Sequence, residues 1–87
     1  MATVVIPSLL RNFTGGAERV VVEGATVREL IRKLDERFSG IANQLIEGDD
    51  IKPSIAVSID GEIATGGVLD AVGRDSEVHF LPALGGG

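Results

Sequence analysis

The chain contains no cysteine, no tryptophan and no tyrosine, and only three phenylalanines, Phe13, Phe38 and Phe80, in 87 residues. Without cysteine there is no disulfide, no thiol nucleophile and no zinc–thiolate centre, so packing and hydrogen bonds alone must hold the fold. Basic side chains are also scarce, with eight Lys and Arg against thirteen Asp and Glu, a formal charge of −5. That sign repels a phosphate backbone and suits basic or neutral protein surfaces, so no nucleic-acid partner is expected. No apolar run approaches membrane-spanning length, and Met1 to Val4 has neither the basic region nor the apolar core of a signal peptide. The expectation is a cytoplasmic protein with no membrane partner.

What the chain does have is small aliphatic side chains, which supply nearly all of its 44% hydrophobic content. Its length suits one domain, and a chain this short buries only about 60 to 65% of its unfolded surface. Val4 and Ile6 alternate with Thr3 and Val5 as in a strand, which Pro7 ends. A loop carrying Leu9, Leu10 and Phe13 leads to Thr14-Gly15-Gly16, a turn signal, and Arg19 to Glu23 reads as a second strand pairing with the first. Val27, Leu30, Ile31, Leu34 and Phe38 then fall at i, i+3, i+4, i+7 and i+11, the stripe of an amphipathic helix. Thr26 and Glu29 suit a capping box, Glu29 and Lys33 an i,i+4 ion pair, and Gly40 the stop.

Beyond Gly40, Ile41, Leu45 and Ile46 suit a short helical turn before the polar loop Glu47 to Pro53. Alternation returns at Ile55, Val57 and Ile59 against Ala56, Ser58 and Asp60, and Asp60-Gly61 favours a hairpin turn into a short strand near Glu62 to Ala64. A second Thr-Gly-Gly, Thr65 to Gly67, precedes a turn of helix at Val68, Leu69 and Val72, and Ser76 to Pro82 reads as the last strand. Val78 and Phe80 face one way there, His79 and Leu81 the other. The pattern predicts a two-layer α+β domain over residues 1–82, a mixed sheet with one main helix across it, and a flexible glycine tail over 83–87.

Constellations for catalysis are absent. His79 is a lone histidine without a nucleophile to activate and reads as a surface or structural residue. Asp49 and Asp50 lack the spacing of a calcium loop, and neither Thr-Gly-Gly segment has the lysine of a phosphate-binding loop. The ending "LPALGGG", Leu81 to Gly87, is different, because glycine buries nothing and loses the most entropy on ordering. Taken alone it is compatible with a frayed terminus. Extended, Ala83 to Gly87 spans at most roughly 16 to 18 Å, enough to thread a narrow tunnel into a partner's active site that side chains would block.

Across its length, from "VVIPSLLRNFTGG" (Val4 to Gly16) through "VSIDGEI" (Val57 to Ile63) to "VHFLPALGGG" (Val78 to Gly87), the chain resembles the β-grasp, ubiquitin-like sulfur carriers. That family includes the small subunit of molybdopterin synthase, the thiamine-pathway carrier and a cysteine-synthesis carrier, and the opening and ending here are most similar to the last. Gly86 and Gly87 match the family's terminal glycine pair, whereas Gly85 stands where a small side chain such as Ala is usual. The resemblance implies that this chain is a carrier and no enzyme. A ubiquitin-activating-like adenylyltransferase and sulfurtransferase would use ATP and Mg²⁺ to adenylate Gly87, which sulfur would convert to a thiocarboxylate, with Gly85 and Gly86 keeping the approach thin. No cofactor or metal would be bound by the chain itself.

Alternation also predicts a docking surface on the sheet face turned away from the helix, carrying Val5, Val21, Ala56, Ser58, His79 and Leu81 and continuing through Pro82, Ala83 and Leu84. Ubiquitin has a similar His and apolar pair on its last strand. For cysteine synthesis the implied partners are a pyridoxal-phosphate cysteine synthase and a metalloprotease; for molybdopterin, the large subunit of molybdopterin synthase. A protein modifier, attacked at Gly87 by a lysine, and a plain binding module with incidental glycines remain the alternatives.

Overall fold

Alternating apolar residues need a second surface to cover them, and in the computed structural model, which describes residues 1–82, one amphipathic helix provides it. Strands β1 (Ala2–Val5) and β2 (Arg19–Val22) form the expected antiparallel hairpin. Helix α1 (Val27–Arg37) follows, then the short α2 (Ile41–Leu45), a two-residue ladder between β3 (Ile46–Glu47) and β4 (Asp50–Ile51), and strands β5 (Ile55–Ile59), β6 (Glu62–Ile63) and β7 (Glu77–Pro82). Among the described residues β2, β1, β7, β5 and β6 lie side by side in that order. β7 is thus central, parallel to β1 and antiparallel to β5. The first and last strands become neighbours only because α1 and the segments after it carry the chain across the sheet. This is the β-grasp arrangement that the resemblance implied.

Local chemistry sets the helix ends. The Thr26 hydroxyl accepts the Glu29 N–H at 3.3 Å, and the Glu29 carboxylate reaches back to the Ala25 N–H at 2.8 Å, one residue before the cap. Glu29 is thereby committed to the backbone, and the i,i+4 pair on this helix is Arg32–Glu36, at 3.4 Å, instead of the expected Glu29–Lys33. At the other end Asp35 Oδ1 accepts the N–H groups of Gly40 and Ala42, which stops α1 and starts α2. Gly40 has φ +97°, a left-handed conformation that a Cβ resists.

Val27, Leu30, Ile31 and Leu34 of α1 are essentially dry, and they pack on Val4, Val20, Val22, Val57, Val78 and Phe80 from the sheet. Each such side chain contributes about 1.5 to 3 kcal/mol by leaving water. Two loops are more ordered than the sequence suggested. Ser8–Thr14 is a 3₁₀ helix that sinks Leu10 into the core and leaves Leu9 exposed, and the β3–β4 ladder takes in Ile46, expected in the helical turn, and Glu47 to Ile51 of the expected polar loop. Both are built on local backbone bonds, the Leu10 N–H to the Pro7 carbonyl in the first and the Ile46–Ile51 pairing in the second. The Val68 N–H donating to Asp50 Oδ1 ties the second to a distant segment. The Asp60-Gly61 turn has positive φ at both residues, 52° and 87°, as the dipeptide predicts.

Candidate functional site

The candidate site grows from β7. Cross-strand partners share a face of the sheet, so pairing fixes which side chains meet. Val5 and Ser58 flank His79 on either side, Ala56 lies opposite Leu81, and Thr3 lies opposite both Val21 and Glu77. Val5, Val21, Ala56, His79 and Leu81 are therefore on one face, the face turned away from α1. Val21 is 51% exposed and Leu81 38%, while Val5, Ala56 and His79 are half-buried.

Ser58 lies on the same face but is buried, 7% exposed, because the larger His79 and Ile63 flank it across the two neighbouring strands. The surface there is made by its neighbours. Ile63 itself, 61% exposed, completes the apolar face and was missed by the sequence reading. A two-residue strand has too little alternation to show which way its side chains point, so only the Ser58–Ile63 pairing assigns it.

One corner of this face is charged. Arg19 Nη1 donates to Glu77 Oε2 at 3.2 Å, and His79 Nε2 lies 2.7 Å from Glu77 Oε1. The bond to His79, then that from Arg19, holds the Glu77 carboxyl below the ordinary carboxylate value. Asp60 is likewise lowered, by the Glu77 N–H and then the Ser76 hydroxyl, so it ties the β5–β6 turn to the start of β7.

At the far end of β7, Pro82 pairs with Ile55 and is exposed. Beside it runs an apolar groove of about 370 Å³, walled by Leu9 and Leu10 on one side and Ile55, Leu81 and Pro82 on the other. Ala83, Leu84, Gly85, Gly86 and Gly87 lie outside the described residues. What the structure defines is their point of departure: the central strand, at the edge of the apolar face. Among the described residues no cluster of His, Asp and Glu has the arrangement to hold a metal ion, and no helix is long and apolar enough to cross a membrane.

The ThiS family model matches residues 4–87. The chain is 34% identical over 92 aligned residues to the sulfur carrier protein CysO of Mycobacterium tuberculosis, covering 98% of this chain and 97% of that one. It is 30% identical over 69 residues to small archaeal modifier protein 3 of Haloferax volcanii, covering 77% and 75%. Among solved structures, a chain of the Amycolatopsis orientalis BexX/CysO complex matches with a TM-score of 0.92 at 35% identity over 100% of both chains.

Proposed function

The chain belongs to the ThiS family, and we propose that it is a sulfur carrier whose Gly87 carboxylate is adenylated by a separate enzyme and converted to a thiocarboxylate, with cysteine synthesis as the destination. The observation that carries this reading is the near full-length similarity to the mycobacterial sulfur carrier protein. A carboxylate repels nucleophiles because it is negatively charged. Attack of its oxygen on the α-phosphorus of ATP, which the partner's Mg²⁺ would assist, expels pyrophosphate and leaves an acyl adenylate whose acyl group no longer carries the carboxylate charge. Hydrosulfide, or the terminal sulfur of a persulfide whose sulfur–sulfur bond is then reduced by a thiol, adds to that acyl carbon and expels AMP.

In this reading the chain's own residues bind and present. The apolar face of Val5, Val21, Ala56 and Leu81 docks the activating enzyme, and Pro82, Ala83 and Leu84 lead from it to Gly85, Gly86 and Gly87. Nucleotide, metal and base belong to the partner, consistent with the scarcity of catalytic groups in this chain. For cysteine, a pyridoxal-phosphate enzyme would supply the activated amino-acid acceptor, and a metalloprotease would hydrolyse the bond joining the new cysteine to Gly87.

The test is intact mass after incubation with ATP, sulfide and an activating enzyme. Replacement of one oxygen by sulfur at Gly87 is the expected result. Gly87→Ala, or one residue added after Gly87, should lower loading at least a hundredfold and leave the melting temperature unchanged; loading at the wild-type rate would reject the mechanism. The similarity to an archaeal modifier protein favours one second reading, in which a lysine attacks the adenylate. Isopeptide-linked ladders carrying Gly87, without sulfur exchange, would select it. A stable complex with a molybdopterin synthase large subunit would instead redirect the sulfur to that cofactor.

A further inference from the structure

We propose that Glu77 fixes the His79 ring so that its Nδ1 is a hydrogen-bond acceptor on the open sheet face, matched to a partner surface that places a nitrogen donor there. This rests on the reading of the sheet face as the activating enzyme's docking surface.

The inference follows from which atoms can carry protons. Glu77 receives Arg19 on Oε2 and lies 2.7 Å from His79 Nε2 through Oε1. An ionised carboxylate only accepts, so the hydrogen in the short contact belongs to Nε2. In the neutral ring that leaves Nδ1 with a lone pair and no hydrogen. Nδ1 has no hydrogen-bond partner among the described residues, and no buried side-chain nitrogen or oxygen there is left unpaired. Nδ1 is therefore reached by solvent.

Its surroundings make the unpaired acceptor matter. Val5 lies across from His79 on β1 and Ser58 on β5, and Leu81 is the next residue along β7 on the same face. Neither β1 nor β5 sets a titratable group opposite the ring, so the charges facing it are Glu77 and, behind Glu77, Arg19. An apolar partner surface closing over Val5 and Leu81 strips water from Nδ1, and an acceptor left dry and unpaired is costly. A donor on the partner answers it, and a net charge of −5 on this chain favours a basic one.

Two measurements test this. In long-range ¹H–¹⁵N spectra of the free chain at pH 8, His79 should show the Nε2–H tautomer, and Glu77→Gln, which can donate as well as accept, should give a tautomer mixture. An Nδ1–H ring or a mixture in the wild type would overturn the proposal. Against the adenylating enzyme that loads this chain, calorimetric affinity at pH 8 should fall about tenfold in His79→Phe, the scale of one lost hydrogen bond with its partner unpaired. If Leu81→Asp weakens binding but His79→Phe does not, the docking face stands and this proposal fails. If neither variant changes affinity, the docking reading itself fails, whatever the tautomer.

Discussion

On the sheet face turned to α1, Val4, Val20, Val57 and Val78 are between 0% and 4% exposed, whereas on the opposite face Val21, Leu81 and Ile63 are 51%, 38% and 61% exposed. The side chains are of one kind, mostly aliphatic and β-branched, and they alternate along the same strands. Their fate differs because α1 supplies one apolar layer and, among the described residues, no second helix of that length lies on the other side. Strand propensity accounts for valines on both faces. It does not account for a contiguous apolar set on the open face beside the departure point of a glycine-rich ending, which is what a surface covered by another molecule looks like.

The comparison can be broken at either face. Leu34→Ala removes a fully buried helix side chain and should cost about 2 to 5 kcal/mol of unfolding free energy, the scale of a core truncation that leaves a cavity. Urea titration checks it, and a loss below about 1 kcal/mol would mean the core is less dependent on α1 than its burial implies. Leu81→Asp should do the reverse. It should leave the unfolding midpoint within experimental error and weaken binding of the activating enzyme by about 1 to 3 kcal/mol, measured by titration calorimetry. A destabilised fold with unchanged affinity would show that Leu81 serves the domain and no partner.

The smallest effect concerns the polar edge between the faces. The folded carboxyls of Asp60 and Glu77 lie below their ordinary values of 3.8 and 4.5, so the unfolded chain takes up these protons first as acid is added. Their contribution is complete above those ordinary values and is lost as the pH falls through the lowered folded ones. The urea midpoint should therefore be lower at pH 3 than at pH 6. Asp60→Asn should lower the pH 6 midpoint slightly and narrow the difference; an unchanged difference would remove Asp60 from the account.

Much of this was legible in the residues. The helix stripe from Val27 to Leu34, its Thr26 cap and the Asp60-Gly61 turn rest on interactions within a few positions, which spacing and turn chemistry report directly. The first hairpin, whose pairs lie 14 to 20 positions apart, showed through the alternation of its two strands. The 3₁₀ helix at Ser8–Thr14 and the β3–β4 ladder were not legible, because segments this short show no period, and what anchors them, the burial of Leu10 in the core and the Val68 N–H on Asp50, joins distant parts of the chain. The same limit applied to the face. Alternation placed Val5, Val21, Ala56, His79 and Leu81 together, but Ile63 joined them and Ser58 sank between its neighbours only through pairing.

By itself, then, the sequence determined the periods: which residues of each strand oppose which, where the helix starts, and that an apolar chain runs into glycines. Those are consequences of local geometry, 3.6 residues to a turn of helix and two to a strand. Tertiary structure alone decided that β7 lies between β1 and β5, since strand order is chosen by how the whole sheet covers α1. It also decided that Arg19, Glu77 and His79, though spread over two strands and 60 residues of chain, meet as one hydrogen-bonded corner.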